Sequence, residues 1–366
     1  MSGSGGTDAT SAPYPTPATD RTIAYAKEIA MKPNIEDVAE RAGVSTATVS
    51  RVFSKPDLVS EKTRAKVMKV ADELGFSVSR TAGVLRSGRS RRIALLVGGP
   101  RIEWFTAGLI EGLNAVFRDA GYDLVIYPIG SGQSRHTFFE DLPVSGNADA
   151  VVISSFAASP EEIGRLRSAM RIPLIGINIT GEGFDASTSI DDRLGIRLIV
   201  RHLAQLGHRN LLYMYEDFHN TLGFSSLNRI SGFREACEHL PGVTGHIVST
   251  RPGDDMLDAM ASELHAYDDP PTAVCFHQDS MAIPLLLNLR RYGLSVPDDL
   301  SITGFDDSTF SAVAGLTTVR QDPYAMAVAA AHKTLDLIED RTPAEPYEIF
   351  PVRLVVRTTT AAPARR

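Results

Sequence analysis

The chain of 366 residues lacks the features that define several protein classes. It has only two cysteines, Cys237 and Cys275, which are far apart, so a disulfide framework and a CxxC metal or redox motif are excluded. No apolar run reaches the roughly 18 residues that a transmembrane helix needs. The N-terminus has no apolar core of the kind found in a secretion signal. These absences predict a soluble protein of the reducing cytoplasm.

Basic residues are scarce in most of the chain and concentrated in one segment. The net charge is −7, yet residues 31–92 carry 13 Lys and Arg against 7 Asp and Glu, whereas residues 93–366 carry 22 against 34. A basic segment of about 60 residues ahead of an acidic body is typical of a nucleic-acid-binding head on a globular domain. Chance clustering of charge on a solvated surface is the alternative.

Composition and patterning divide the chain into five segments. The first, rich in Gly, Ser, Thr, Ala and Pro, cannot bury enough apolar surface to order itself. The predicted segments are a disordered extension over residues 1–30, a helical domain over 31–76, a basic hinge segment over 77–92, a two-lobed domain over 93–358 and a tail over 359–366.

Short apolar runs rich in β-branched residues alternate with helical stretches from Ile93 onward. The runs are IALLVGG, YDLVIYPI, ADAVVISS, IPLIGINI, RNLLYMY, TAVCFH and LSITGF. The helical stretches include residues 105–120, 192–206, 226–240 and 279–292. This alternation predicts parallel sheets that are buried on both faces. Because about 270 residues are generous for one sheet, two α/β lobes are expected.

The basic head contains the sequence IEDVAERAGVSTATVSRVF, which is typical of a helix-turn-helix. Asn34 is expected to cap a first helix, Gly43 to form the turn and Ser45 to cap a second helix. A third helix is predicted between a Ser60 cap and Gly75. An ordinary helical hairpin is the alternative for the first two helices.

The predicted second helix has two distinct faces at about 100° per residue. One arc holds Thr46, Ala47, Ser50 and Arg51, and the opposite arc holds Thr48, Val49, Val52 and Phe53. The second arc can pack on the first helix. The first arc then offers hydroxyls, a methyl group and a guanidinium to a DNA major groove.

Several linked motifs resemble the lactose-repressor (LacI/GalR) family of bacterial regulators. In the head these are DVAERAGVSTATVSRVF, VSEKTRAKV and ELGF; in the body they are SIDDRLGIRLIVRHLAQLGHRN, RISGFREAC, PTAVCFHQDSMA, VPDDLSITGFDD and LTTVRQ. The resemblance covers about residues 34–358. It implies an N-terminal all-α helix-turn-helix head and an α/β core like a periplasmic binding protein, with two Rossmann-like lobes joined by three crossovers.

The resemblance also implies how the lobes are assembled and what they bind. Residues 93–190 and about 320–342 would form one lobe, and residues 193–317 with the terminal strand IFPVRLVVR the other. The implied partners are double-stranded DNA with a palindromic operator, a second copy of the chain in a homodimer, and a small carbohydrate effector between the lobes. No C-terminal leucine heptad is present, so a dimer is expected.

The family's DNA contacts fall on residues of the head and hinge. Thr46, Ala47 and Arg51 occupy base-reading positions, and Ser45, Thr48 and Ser50 occupy phosphate-contacting positions. In the hinge, Leu85 matches the leucine that wedges into the minor groove, and Arg86 follows it; an exposed linker leucine is the alternative for Leu85. Gly83 replaces an arginine, which weakens the hinge helix by about 1 kcal/mol.

The family's effector contacts fall on five residues of the body. Arg229 matches the arginine that clamps the effector, and Asp306 the carboxylate that accepts from its hydroxyls. Gln278 stands where sugar binders usually have Asn, and Asn178 where many have Asp, so both depart from the usual hexose pattern. Trp104 is either a sugar-stacking platform at the cleft rim or a core residue.

These observations predict a ligand-responsive DNA-binding regulator, expected to be a repressor, without catalytic residues, a metal or a cofactor. Two alternative functions are that of a sugar receptor without a DNA function and that of an α/β sugar-processing enzyme. The basic head argues against the first. The second lacks a nucleophile elbow, a metal cluster and a nucleotide loop.

Overall fold

A computed structural model describes residues 33–54, 56–76, 89–98, 101–130, 132–154, 156–179, 183–216, 224–251, 256–289 and 293–364. The chain divides into two compact units, Met1–Gly88 and Arg89–Arg366. Residues 1–30, predicted to be a disordered extension, and the hinge residues Gly83, Leu85 and Arg86 lie outside the described residues.

The described part of the first unit is the helical head. Its helices are α1 (Ile35–Ala42), α2 (Thr46–Ser54) and α3 (Glu61–Leu74), with a 3₁₀ turn at Pro56–Leu58 between the last two. As predicted, Asn34 caps α1, with its side chain accepting from the backbone of Glu36 and Asp37. Gly43 ends α1 at φ 60°, and Gly75 ends α3 at φ 62°, backbone conformations that suit glycine.

The head is held together by one small apolar core. It comprises Val38, Ala39, Ala42, Val49, Val52, Val67, Val70 and Ala71. The ring of Phe53 packs on Phe76 at 5.9 Å between centroids. The core consists mostly of alanine and valine, which allows the three helices to approach closely.

The second unit contains two sheets with helices on their faces; the first is parallel throughout, and the second is parallel except for β12, which pairs antiparallel with β10. The elements of the first lobe are β1 (Arg92–Gly98), α4 (Trp104–Asp119), β2 (Asp123–Ile129), α5 (Gln133–Asp141), β3 (Ala150–Ser154), α6 (Pro160–Ala169), β4 (Leu174–Ile177) and β5 (Ala186–Ile190). Those of the second lobe are α7 (Asp192–Leu206), β6 (Asn210–Glu216), α8 (Phe224–Glu238), β7 (Thr244–Thr250), α9 (Met256–His265), β8 (Ala273–Phe276), α10 (Asp279–Asn288), β9 (Ser301–Asp306) and β10 (Thr317–Arg320).

The last three elements of the chain are divided between the two lobes. Helix α11 (Pro323–Ile338) and strand β11 (Tyr347–Phe350) join the first lobe, and strand β12 (Arg353–Val355) joins the second. The strand orders are β11-β5-β4-β3-β1-β2 and β12-β10-β9-β8-β6-β7. The chain crosses between the lobes after β5, after β10 and after β11. The two-lobed parallel architecture with three crossovers is therefore confirmed.

The terminal strand was predicted wrongly in one respect. The run IFPVRLVVR was assigned as a whole to the second lobe, but β11 pairs with β5 of the first sheet and only β12 pairs with β10 of the second. Pro351 separates the two strands, and its missing N–H interrupts the pairing. The run is thus the third crossover as well as the end of both sheets.

Both faces of each sheet are buried, as the continuous apolar runs predict. Along β1, Ile93 and Leu95 belong to one core cluster, while Ala94 and Leu96 belong to another. Along β6, Tyr213 and Met214 likewise face different clusters. Among the described residues, no helix combines the length and the apolar character needed to cross a bilayer.

Candidate functional site

Helix α2 presents a polar face to solvent and an apolar face to the head. Val49 and Val52 are buried, whereas Thr46, Ala47 and Arg51 are exposed, as the two predicted arcs require. Ser50 and Thr48 are half-buried. Exposed guanidinium, hydroxyl and methyl groups on one helical face are the groups that read base edges in a major groove.

The start of α2 is fixed by a serine cap. The Ser45 hydroxyl accepts from the backbone N–H of Thr48 at 3.2 Å and lies 2.9 Å from the Thr48 hydroxyl. Such a cap satisfies one of the free N–H groups at the helix N-terminus. Two predicted phosphate-contacting side chains therefore also determine where the helix begins. The hinge residues Leu85 and Arg86 cannot be placed in the same way, since they lie outside the described residues.

In the second lobe, Arg229 lies at the centre of a buried polar cluster. Its Nε donates to Asp192 Oδ1 at 2.8 Å and its Nη1 to the backbone carbonyl of His277 at 2.9 Å. The guanidinium also stacks on the Phe305 ring, 3.7 Å from its centroid. Burial would lower the pKa of Arg229, but Asp192 and Asp306 raise it, so the group stays charged.

Asp306 is the second carboxylate of this cluster. Its Oδ1 lies 3.8 Å from Arg229 Nη1 and accepts from Gln321 Nε2 at 2.7 Å. Burial, reinforced by the nearby Asp279 and Asp192, raises the pKa of Asp306 to about 7, against the opposing effect of Arg229. Its backbone has φ 125°, a conformation that costs energy for a residue other than glycine.

The cluster contains buried acceptors without a donor. Gln321 Oε1 has no hydrogen-bond partner among the described residues, and neither has Asn178 Oδ1. Asp192 differs, because burial raises its pKa but the Ser225 hydroxyl beside it opposes that rise. Buried polar atoms are usually paired, since each unpaired one costs about 1–3 kcal/mol. These orphaned atoms indicate that a ligand or water completes the site.

His277 and Tyr213 lie beneath the cluster. The Tyr213 hydroxyl lies 2.7 Å from His277 Nδ1, and the Ser226 hydroxyl lies 3.1 Å from Nε2. Burial lowers the pKa of His277 well below its ordinary value, with Arg229 acting in the same direction. A neutral imidazole with both nitrogens engaged fixes the loop whose carbonyl holds Arg229.

Gln278 and Asp279 follow His277 at the start of α10. The Gln278 amide donates to the Ser280 hydroxyl at 2.8 Å. The buried Asp279 carboxylate accepts from Ser308 N at 2.9 Å and from the hydroxyls of Ser311 and Thr318. Asp279 therefore fixes the loop after β9 to the start of α10.

Trp104 and Asn178 lie in the first lobe, after the carboxyl ends of β1 and β4. Trp104 is half-buried as the first residue of α4, and Asn178 is buried at φ 52°. No hydrogen bond or ion pair between described residues joins either side chain to Arg229, Gln278 or Asp306. The structure thus brings Arg229 and Asp306 together and places the other three at the ends of other strands.

Sequence reasoning missed the residues that position Arg229 and Asp306. These are Asp192, Phe305, His277, Tyr213, Ser226 and Gln321. Asp192 directly follows the first crossover, and Gln321 directly precedes the second. The ion pair from Asp192 to Arg229 and the amide contact from Gln321 to Asp306 therefore both involve segments that join the lobes. The SIDD and VRQ motifs contained these two residues, but motif resemblance alone gave them no role.

Comparisons with known proteins agree with this architecture. Residues 34–79 match the family described as bacterial regulatory proteins, lacI family, and residues 200–360 match the periplasmic binding protein-like domain. The HTH-type transcriptional regulator DegA of Bacillus subtilis strain 168 is 30% identical over 342 residues, which cover 90% of this chain and 99% of DegA.

Two solved structures share the fold. The lac repressor dimer bound to operator and the anti-inducer ONPF has a TM-score of 0.77 at 23% identity and covers 91% of this chain and 100% of its own. A LacI family regulator from Enterococcus faecium with bound ribose has a TM-score of 0.64 at 25% identity, covering 74% of this chain and 99% of its own. With a 30% identical relative along nine-tenths of its length, this chain belongs to the LacI family of DNA-binding transcriptional regulators.

Proposed function

We propose that this regulator reads an inverted-repeat operator as a homodimer and that a small hydroxylated effector in the crevice of its two-lobed domain controls its DNA affinity. The observation that carries the proposal is α2, whose exposed face consists of Thr46, Ala47 and Arg51 above a fully packed apolar face. In this reading Arg51 contacts a guanine, and Ser45, Thr48 and Ser50 contact phosphates.

The dimer is supported by exposed apolar side chains of the second lobe. Leu287 on α10 is 75% exposed, and Phe310 and Val313 on the loop after β9 are 67% and 88% exposed. The loop is fixed to the start of α10 through Asp279. We call these three residues the α10 patch. The lac repressor, a structural neighbour, is a dimer on its operator, and two-fold symmetry suits a palindromic site.

The effector site is supported by the polar cluster around Arg229. Its acceptors are incompletely paired, and it lies at the carboxyl ends of parallel strands, where α/β proteins bind ligands. The neighbour from E. faecium holds ribose. Trp104 and Asn178, at the strand ends of the other lobe, would contact the same ligand from the opposite side.

The proposed control of DNA affinity by an effector depends on the crossover segments that the cluster contacts. Asp192 begins α7 after the first crossover, and Gln321 begins the second crossover. A ligand that binds Arg229 and Asp306 favours whichever lobe orientation suits those contacts. Only this difference in affinity between two conformations can shift the DNA equilibrium.

The cluster supports binding rather than catalysis. The adjacent Asp306 and Asp307 do not form an acid/base pair, because Asp306 contacts Gln321 and Asp307 contacts Arg320 and Arg357. The Arg229 guanidinium donates to the Asp192 carboxylate and to the backbone carbonyl of His277. A binding site with fixed polar groups fits a regulator that does not transform its effector.

The reading face is tested by selecting duplexes from a random library with the full chain and then substituting Arg51. Arg51→Ala should relax specificity at one base position of each half-site and weaken the preferred duplex by about 1–3 kcal/mol. Arg41→Ala is the matched control, since Arg41 is also exposed but lies on α1; it should leave the base preference unchanged.

Two outcomes would contradict the proposal. Failure to select any inverted repeat would favour a small-molecule receptor without a DNA function. Equal weakening of all duplexes by Arg51→Ala would mean that Arg51 contacts phosphate and that another residue reads the bases.

A further inference from the structure

The last residues of the predicted hinge segment, 89–92, belong to the second unit, where one carboxylate holds them in place. Asp149, which directly precedes β3, accepts from the backbone N–H of Ser90 at 2.6 Å and from that of Arg91 at 3.0 Å. The Ser90 hydroxyl adds a third donor at 2.8 Å. Successive backbone N–H groups that converge on one anion form a nest. Here the anion in the nest is a side chain of the protein itself.

The backbone of this segment is tied to two strands of the first lobe. Arg91 has φ 55°, a left-handed conformation that is uncommon for a residue other than glycine and persists only where the surroundings impose it. Its carbonyl accepts from Asp123 N at 2.9 Å, and the Arg92 carbonyl accepts from Asp149 N at 2.8 Å. The Arg91 guanidinium also lies 5.2 Å from the centroid of the buried Tyr122 ring. The segment is therefore fixed to the starts of both β2 and β3.

Arg89 ties the same segment to the end of α11. Its Nη2 donates to the carbonyl of Ile338, the last residue of α11, at 3.0 Å. The last carbonyls of a helix have no partner within the helix, and a cation there also interacts favourably with the helix dipole. Because α11 directly follows the second crossover, this bond joins the hinge segment to one of the connections between the lobes.

Arg89, Ser90, Arg91 and Asp149 together are called the hinge mount. The mount determines how much chain is free between the first lobe and the DNA-binding head. Freeing its three consecutive residues would lengthen this arm by up to about 10 Å, at about 3.3–3.6 Å per residue. Since one base pair advances a duplex by about 3.4 Å, each head could then reach about three base pairs further.

We propose that the hinge mount sets the half-site spacing that the dimer accepts, and that Asp149 and Arg89 are positioning residues for DNA recognition. In a homodimer the two mounts lie at a fixed separation, since each belongs to a packed lobe. A short arm that starts at a fixed point keeps the second head at a high effective concentration over a narrow range of spacings. This inference rests on the proposed function in taking an inverted repeat as the DNA target.

The test measures spacing preference, which a residue with only a structural role would not change. The full chain is titrated with the duplex that it selects from a random library, with versions whose spacer is one or two base pairs longer or shorter, and with a single half-site. For the unsubstituted chain, affinity should fall at least ten-fold when the spacer changes by one base pair. That change moves the second half-site by about 3.4 Å and turns it by about 35°.

Variants of the mount should lose this preference. Asp149→Ala should weaken the optimal duplex at least three-fold and reduce the penalty for a one-base-pair change to less than three-fold. Its affinity for a single half-site should not change, because α2 is untouched, and Asp149→Asn, which keeps one acceptor oxygen, should lie between. Arg89→Met removes the bond to α11 while leaving the Asp149 carboxylate in place. It should broaden the spacing preference as well, and it provides the test if Asp149→Ala fails to fold.

Asp185→Ala is the matched control. Asp185 directly precedes β5 at the same edge of the same sheet, where its carboxylate accepts from Leu174 N at 2.8 Å and pairs with Arg167 at 2.9 Å. It therefore fixes the start of β4 and not the hinge segment. This variant should lose stability through the missing carboxylate but keep the spacing preference of the unsubstituted chain.

Three outcomes would overturn the role of the mount. They are equal weakening of the half-site and of every full duplex by Asp149→Ala and Arg89→Met, an unchanged spacing preference in both variants, and loss of the preference in Asp185→Ala. A chain that selects no inverted repeat would contradict the proposed function and this inference with it. A chain that selects one, yet keeps its spacing preference in both mount variants, would overturn this inference alone.

Discussion

At the scale of single residues, burial changes the ionisation of Asp306. Its pKa is raised from its ordinary value of 3.8 to about 7 by burial, while Arg229 opposes the shift and Asp279 and Asp192 add to it. Between about pH 4 and 7 the folded chain therefore holds a proton that the unfolded chain releases. The stability that this proton contributes is fully present below about pH 4 and is lost as the pH rises towards 7.

Asp306→Asn should flatten this dependence. Relative to the variant, the free energy of unfolding of the unsubstituted chain should fall with rising pH between about 4 and 7, by about 1.4 kcal/mol for each unit of the pKa shift. Urea unfolding at several pH values measures it. Gln321→Leu removes a donor that lowers the Asp306 pKa, so the fall should still begin near pH 4 but extend to higher pH. Parallel curves for all three proteins would show that Asp306 is not protonated in this range.

The sequence identified Arg229 and Asp306, the charged residues of the site, but not the residues that hold them in position. Arg229 and Asp306 were found because they stand in motifs that resemble a family, and the structure brings them within 3.8 Å. Their partners Asp192 and Gln321 were missed, since an ion pair between residues 37 positions apart depends on how two helices pack. Periodicity and spacing report which face of an element is buried, not which side chains meet across elements.

At the scale of elements, strands with long apolar runs were predictable and polar strands were not. The seven apolar runs all form strands. Strand β5 was missed because its sequence, ASTSI, contains three hydroxyl side chains, yet all five residues are buried. Strand β7 is an edge strand that is partly exposed, and its sequence TGHIVST likewise has no continuous apolar run. Their positions are determined by neighbouring strands rather than by local pattern.

The contact between α4 and α11 depends on glycine at its closest point. A Cβ on Gly112 would lie 2.6 Å from the Tyr324 carbonyl oxygen and 2.8 Å from Ala327 Cβ. Gly112→Ala should therefore lower the free energy of unfolding by about 1–3 kcal/mol, since the backbone of α11 must shift. Denaturant unfolding measures the change.

Gly164→Ala is the matched control for this prediction. Gly164 lies in α6 with nothing within 4 Å of its Cβ position, so alanine there should be neutral or stabilise by up to about 1 kcal/mol through helix propensity. Equal effects of the two substitutions would show that backbone entropy, and not the close approach of α4 and α11, determines the result.

At the scale of the whole molecule, the proposed function requires two heads for full DNA affinity. In that proposal one head reads one half-site, and a second copy of the chain doubles the contacts on an inverted repeat. The α10 patch offers three apolar side chains that one chain leaves in water. Burying them against a second copy removes apolar area at about 25 cal/mol per Å². The same surface on both subunits is what a two-fold interface requires.

A charge placed in the α10 patch should separate the subunits. Val313→Glu or Leu287→Glu would bury a carboxylate in the proposed interface, which is costly without a partner. We expect sedimentation to show monomers and the affinity for the full inverted repeat to fall at least ten-fold, towards that for a single half-site. Ile349→Glu is the matched control, because Ile349 is also 68% exposed but lies on β11 of the first lobe. A dimer that survives both patch substitutions, or one that is lost with Ile349→Glu, would place the subunit contact on another surface.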